Sequence, residues 1–406
     1  MSPIICLTNT FPFKGEQFLK TELELADSKN PIVLWTFLPP ESNCKPVINN
    51  KSIEMHIFSK RRLTLKNKMK AAVSSICQFL INHEIISVIK EKGKIRNLIK
   101  ALKFGYTSEL RVLQIKDWIC CTYGNKAELT LYSYWMYEVA YVAARLKKQF
   151  LAAKFLTRCH GYDLYEIRHK NGYLPYRSFI LDQADMICPI SENGKKYLHD
   201  KFNGRYDSKI KVMRLGTIRC VDFISKQKKM EKIILVSCSN LVDVKRVHLI
   251  IRALKKCDRE IVWHHFGDGV LRCDLEKQAQ FLPTNVKYYF MGYQANKEIQ
   301  KFYANHYIDA FLNVSQSEGV PVSIMEAESY GIPVIATNVG GTSEIVHDRQ
   351  NGVLLSVDFT DADLLNAIDN VITNADQYRK EALRTWENMS NANVVFPEFY
   401  KMLEEL

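Results

Sequence analysis

Short β-like runs alternate with helical ones along this chain, and they do so in two successive series. The first runs from "PIICLT" (3–8) through the helical "FLKTELELA" to "PIVLWTF" (31–37), then through "ELTLYSYW" and a helix over 136–149. "FLTRCHG" (155–161), a helix near 174–184, "DMICPIS" (185–191) and a helix near 192–202 complete it, and "KIKVMRLGTI" closes this half. The polar "CVDFISKQKKMEK" reads as a linker. A second series then follows: "KIILVSCS" (232–239), a helix at 245–256, "EIVWHHFG", a helix at 270–280, "VKYYFMG", a helix at 296–304 and "IDAFLNVS". It ends with "GIPVIATN", a short helix from Thr342, "GVLLSV" and a broken helical region from about Asp363. Such alternation predicts parallel sheets covered by helices on both faces. The expected fold class is therefore α/β: two doubly wound, Rossmann-like domains of similar size facing a cleft, over 1–220 and 221–385. A C-terminal helix, 386–406, is expected to return to the first domain. In sheets of this kind ligands bind beyond the carboxyl ends of the strands.

Composition removes several function classes. The 406 residues contain no 18-residue apolar run, and the nearest candidate, "AAVSSICQFLINHEIISVIK", is interrupted by His83 and Glu84. The first residues lack the pattern of a secretory signal, and strand-like "IICLT" begins almost at once. Eleven cysteines without paired spacing fit reduced thiols in a cytoplasmic protein. There is no HExxH, and alternation would send His264 and His265 to opposite faces of their strand, so no metal site is expected.

The net charge of +12 is concentrated. Between Lys60 and Lys103 stand twelve Lys or Arg and only two acids, Glu84 and Glu91, on segments with Ile, Leu and Val at helical spacing. A solvated helix face is one reading of this run. An anionic membrane surface is another. Nucleic acid is a third, but no reader motif accompanies the charge, and no nucleic-acid partner is expected.

"SEGVPVSIMEAESYGIPVIATNVGG" (317–341) carries two glutamates eight positions apart, Glu318 and Glu326. Glu318 falls in a loop after a strand. Pro321 suits a first helical turn and Gly331 a stop, so the spacing predicts a helix from about Pro321 to Tyr330. Its N-terminal end, near Gly319 to Ser323, is suited to an anion. Glu326, one turn beyond Val322, shares the apolar face, whereas Glu328 lies about 160° away and is expected in solvent. An inward carboxylate needs hydrogen-bond donors. The vicinal hydroxyls of a ribose would serve Glu326, and a second polyol could reach Glu318. The alternative is that Glu318 caps its loop and Glu326 pairs with a core Arg, Lys or Tyr.

These features, taken in order along the chain, resemble the GT-B retaining nucleotide-sugar glycosyltransferases of family 4. The family's E-x7-E motif matches Glu318 and Glu326, its phosphate-lysine segment resembles "SNLVDVKRVHLIIRAL", and its glycine turn resembles "FGDGVLRCDLE". In the first half, "TFPFKGEQFLKTELELA" and "RCHGYDLYE" look like the family's N-terminal loop and its His-Gly-x-Asp segment. The resemblance implies that Glu326 holds the nucleotide ribose and Glu318 the donor sugar. Backbone at Gly319, Val320 and Gly15 would approach the sugar or diphosphate. Lys245 would bind the diphosphate, and His160 would face the transition state, with Asp163 orienting the loop. The family's usual Arg is here Asn240, with Arg246 as a substitute.

The implied reaction is retaining transfer from a nucleotide-sugar donor to a lipid-linked glycan acceptor in bacterial surface polysaccharide synthesis. No cofactor is expected: Asp361 and Asp363 spell a metal motif but begin a helix, where Asp caps. The implied location is peripheral, on the inner face of the cytoplasmic membrane, with the basic 60–103 segment docking there. A sugar-nucleotide epimerase of the same fold, and a catalytically silent nucleotide-sugar binder, are the rival readings.

Overall fold

In a computed structural model, which describes residues 2–406 apart from 12–17, 39–47, 49, 51, 60–62, 91–92 and 223–230, two six-stranded sheets form two compact units. The first comprises Met1–Met213 with Phe396–Leu406, and the second Arg214–Val395. These limits differ from the expected breaks at 220 and 385. Thr217 joins the second unit because its N–H bonds to Ser390 O and its carbonyl accepts from Ala392 N.

In the first unit the strands are β1 (Ile4–Thr8), β2 (Ile32–Thr36), β3 (Ile53–Ile57), β4 (Thr130–Ser133), β5 (Lys154–Cys159) and β6 (Met186–Pro189). They run parallel in the order β3-β2-β1-β4-β5-β6. The alternation missed β3. Its partly exposed "IEMHI" lies at the sheet edge, where a continuous apolar run is not required. The helices are α1 (Phe18–Glu24), α2 (Leu65–Ile81), α3 (Glu84–Lys90), α4 (Lys94–Tyr123) and α5 (Glu138–Lys147). Then follow α6 (Gly161–Leu164), α7 (Arg177–Gln183) and α8 (Glu192–Phe202). Ile5, Leu7 and Val33 point into one core with α4, α5 and α7, while Ile4, Cys6 and Leu34 point into the other.

The second unit repeats the plan with β7 (Ile233–Cys238), α9 (Val247–Leu254), β8 (Ile261–Phe266), α10 (Arg272–Ala279), β9 (Val286–Phe290) and α11 (Asn296–Asn305). It continues with β10 (Ala310–Asn313), α12 (Val322–Glu328), β11 (Val334–Thr337), β12 (Gly352–Leu355), α13 (Asp361–Thr373) and α14 (Ala375–Met389). Its parallel order is β12-β11-β10-β7-β8-β9. Counted within each unit, both sheets have the order 3-2-1-4-5-6. The chain reverses direction across the sheet between β1 and β4 in the first unit, and between β7 and β10 in the second. Two loops diverge at such a point and leave a crevice at the strands' carboxyl ends.

The last helix, α15 (Ala392–Glu404), ends inside the first unit. Phe399, Tyr400 and Leu403 are buried there beside Ile4, Leu34 and Leu156. Beneath them Arg158 of β5 pairs with Glu22 of α1, both wholly buried. Tyr132 donates to Glu22 at 2.9 Å, and the Phe399 ring lies 4.1 Å from the guanidinium. A buried pair of this kind contributes little net stability, but losing one partner strands a charge.

Candidate functional site

The crevice between β7 and β10 brings two of the expected residues into contact. The loop leaving β7 makes one tight turn over Asp243–Lys245, and the loop leaving β10 carries Glu318. Lys245 Nζ lies 2.6 Å from Glu318 Oε1, with the side chains 24% and 10% exposed, and Asn313 Nδ2 donates to the same oxygen at 3.4 Å. Two residues 73 positions apart thus meet where the topology opens the sheet. The exposure leaves the pair accessible to a ligand yet shielded enough for its charges to matter.

Two glycines allow this approach. Gly340 has φ +57°, and a Cβ there would sit 2.1 Å from Glu318 O, while Gly341 N donates to Gly319 O at 2.6 Å. Gly267 has φ +133°, and a Cβ would sit 1.9 Å from Ser239 O at the start of the lysine loop. Either side chain would push a site loop outward.

Glu326 lies on α12, half-buried, and accepts from Asn296 Nδ2 of α11 at 2.5 Å. Gln300 Nε2 donates to Asn296 Oδ1 at 2.8 Å, and Gln300 Oε1 accepts from Cys220 N at 2.7 Å. The Tyr330 hydroxyl lies 3.0 Å from that same Gln300 oxygen. Burial raises the Glu326 pKa to about 7, although the Asn296 donor works against it. The sequence reading missed Asn296 and Gln300. Their i, i+4 spacing on one helix was visible, but nothing local linked them to Glu326, thirty residues away.

Other expected residues fall differently. Arg246, in the left-handed region at φ +49°, gives its guanidinium to the carbonyls of Val314, Val357 and Ser315 at 2.8, 2.7 and 3.3 Å. It ties β10's loop to the turn beyond β12, with a donor from each of its three nitrogens engaged by backbone. Asn240 is exposed, and Val320 is buried beside Gly319. Gly15 lies outside the described residues. His160 caps α6 at the end of β5, 7% exposed, its ring 4.4 Å from Trp135 and 4.9 Å from Tyr134. Neither ring nitrogen has a hydrogen-bond partner among the described residues. Asp163 accepts from His160 N at 2.5 Å and Met136 N at 2.6 Å, which fixes the loops after β4 and β5. Thr360 and Asp363 form the capping box of α13. His265 is buried against Ser237, while His264 stacks on Tyr289, so the two do diverge. No group of three His, Cys, Asp or Glu among the described residues is placed to hold a metal ion.

Glu328, expected in solvent, is fully buried. α14 packs on the outer side of α12, so the helix has no solvent face at this point. Asn351 Nδ2 donates to Glu328 Oε1 at 2.9 Å, Oε2 has no partner among the described residues, and burial holds the pKa well above the usual carboxylate range. A folded-state pKa above the unfolded value means that the native state retains the proton longer. Stability therefore falls as pH rises past the unfolded value of about 4.3, at up to ~1.4 kcal/mol per pH unit, until the folded value is passed. Glu328→Gln should remove this slope. Denaturant melts from pH 5 to 8 should show the variant gaining steadily on wild type as pH rises, and parallel curves would rule out a retained proton.

Known proteins resemble this chain in sequence and in fold. Residues 221–387 match the family model described as "Glycosyl transferases group 1". The O-antigen biosynthesis glycosyltransferase WbnH of Escherichia coli is 26% identical over 245 residues, 60% of this chain and 68% of that one. The putative colanic acid biosynthesis glycosyltransferase WcaL of Salmonella typhimurium is 27% identical over 269 residues, 63% of this chain and 65% of that one. Among solved structures, Anabaena Alr3699/HepE in complex with UDP superposes with a TM-score of 0.69 at 15% identity, covering all of both chains.

Proposed function

We propose that this chain, a glycosyltransferase of two-domain GT-B fold, moves a sugar with retention from a nucleotide-sugar to a lipid-linked glycan acceptor in bacterial surface polysaccharide synthesis. The observation that carries this reading is the Lys245–Glu318 pair at the crevice of the second sheet, with Glu326 one helix away on its Asn296 support. A donor supplies what each group lacks. Its diphosphate oxygens suit the Lys245 ammonium, its ribose hydroxyls can donate to Glu326, and its sugar hydroxyls can donate to Glu318. The UDP held by HepE and the O-antigen and colanic acid names of the relatives support the donor and pathway class.

In the proposed reaction the acceptor oxygen attacks the anomeric carbon on the face the diphosphate leaves. The carbon–oxygen bond to phosphate breaks as the new glycosidic bond forms, and the departing phosphate oxygen takes the acceptor's proton. Lys245 stabilises the charge that develops on that oxygen, and no step calls on a metal.

The binding-only reading has one observation behind it: Asn240 is neutral and Arg246 is committed to carbonyls, which leaves Lys245 as the loop's remaining cation. One screen separates these readings. Nucleotide-sugars at about 100–1,000 times Kd should stabilise the purified protein by ~2.7–4.1 kcal/mol, and the best donor should then label a lipid-linked glycan in the presence of EDTA. If no nucleotide-sugar stabilises the protein, the donor assignment fails. If one binds and no acceptor is ever labelled, the silent reading wins. The acceptor reading also places the protein on the inner face of the cytoplasmic membrane, with the basic 60–103 segment turned to lipid.

A further inference from the structure

The three consecutive helices between β3 and β4 do more than carry charge. On α2, Leu65, Met69, Val73, Ile76 and Leu80 are between 55% and 74% exposed. At 100° per residue these five fall within an arc of about 80°. Ala71, Ser75 and Phe79, which α2 buries, lie about 120° round the helix. The helix therefore has two apolar faces, and only one of them belongs to the core. α3 leaves Ile85, Ile86 and Ile89 exposed, and the first turns of α4 leave Ile95, Ile99 and Leu102 exposed. A monomer's surface rarely keeps so many large aliphatic side chains in one region without using them.

Charge identifies what covers them. Lys66 and Lys70 flank the α2 row on one side and Lys68 on the other, all exposed, and Lys90, Lys94, Arg96 and Lys103 continue the series on α3 and α4. Among the described residues of 63–103 the one acid is Glu84, which is buried and accepts from Tyr173 OH and Tyr176 N. Aliphatic rows edged by lysines, with no exposed carboxylate among the described residues, match an anionic bilayer interface: acyl chains take the row while the ammonium groups reach the headgroups. A second copy fits poorly, because a two-fold contact through this face would set lysines against lysines.

The helices are built to lie on the bilayer rather than cross it. Among the described residues no single helix is long and apolar enough to span, and α2 and α3, which reach that length and hydropathy only as a pair, meet at a 68° bend. The 17 residues of α2 reach only about 25 Å, against a hydrocarbon core of about 30 Å. α2 is also anchored along its inner side, where Ser74 donates to Glu109 at 2.7 Å and Glu109 is held by Arg145 at 2.6 Å.

We propose that the exposed aliphatic row of α2, with those of α3 and the start of α4, inserts into the headgroup region of an anionic bilayer and holds the first unit on the membrane surface. This deepens the lipid-linked-acceptor reading, but it is measured without donor or acceptor. The full chain should float with vesicles of phosphatidylcholine containing about 30 mol% phosphatidylglycerol and bind pure phosphatidylcholine at least about tenfold more weakly. Because insertion is apolar as well as ionic, part of the binding should survive about 0.5 M salt, where surface charges are largely screened. Met69→Asp/Val73→Asp/Ile76→Asp should weaken anionic-vesicle binding by about a hundredfold or more. Lys66→Gln/Lys70→Gln should weaken it by about tenfold, at low salt only.

Circular dichroism and retained stabilisation by the best nucleotide-sugar report that each variant is folded. Should the triple variant misfold, Val73→Asp alone is read in its place. Vesicle binding unchanged in the folded Asp variant overturns the proposal. So does a concentration-dependent dimer that the variant dissociates while wild type ignores vesicles. If vesicles bind and no nucleotide-sugar does, the surface stands and the reaction assignment falls.

Discussion

Glu318→Gln should yield a protein that still takes up its nucleotide-sugar but transfers the sugar about 10²–10³-fold more slowly. The Glu318 carboxylate pairs with Lys245 at 2.6 Å. A donor entering this crevice must divide the pair, drawing the ammonium to phosphate and giving the carboxylate a sugar hydroxyl. Removing the charge at Glu318 therefore has opposite effects on binding and on chemistry. Lys245, freed from its partner, should hold a nucleoside diphosphate as well or up to about fivefold better, since a partly exposed pair contributes up to ~1 kcal/mol. Transfer should fall, because the carboxylate no longer holds the sugar against the leaving group as positive character grows at the anomeric carbon. Titration calorimetry with the nucleoside diphosphate and steady-state kinetics with the complete donor give the two numbers. Loss of both in the same proportion would make Glu318 a structural prop of its loop rather than a group that handles the sugar.

Much of this geometry was legible in the sequence because it follows from local rules. Strand–helix alternation implies parallel sheets, parallel sheets place ligands at the strands' carboxyl ends, and "SQSEGVP" and "LVDVKR" each follow a strand. What was not legible depended on partners distant in the chain. Glu328 reads as solvated when α12 is considered alone, and it is buried only because α14 returns more than forty residues later to cover it. Arg246 reads as a phosphate ligand beside Lys245, but carbonyls around Val314 and Val357 capture it. Asn296 and Gln300 look like ordinary polar positions of a surface helix until Glu326 and Cys220 are set against them. The run between Lys60 and Lys103 was read through its charge. Its aliphatic residues, noted only for their helical spacing, divide between a buried face and an exposed one, and periodicity alone cannot tell two apolar faces from one broad one.

Donor affinity should rise with pH through about 7 and level off above it, and Glu326→Ala should abolish both the rise and about 10²–10³-fold of the affinity. The carboxylate's pKa of about 7 is set by burial, with a single amide donor opposing it. Ribose hydroxyls are donors, so they bind the ionised form and not the protonated one. At pH 6 about a tenth of Glu326 is ionised, and donor binding should be about tenfold weaker than at pH 8. A nucleotide-sugar is the ligand to use, since its esterified phosphates lack the second ionisation near pH 6 that would blur the profile. Two hydrogen bonds to a charged acceptor, at ~1.5–3 kcal/mol each, set the scale of the alanine loss. Asn296→Ala supplies the finer test. Without the amide donor the carboxylate should ionise later, so the midpoint of the affinity profile should move upward while affinity at pH 9 stays within a few-fold of wild type. A midpoint left at its wild-type pH would mean that Asn296 merely packs beside α12. A wild-type affinity that does not change between pH 6 and 8 would mean that Glu326 is not the group that meets the ribose.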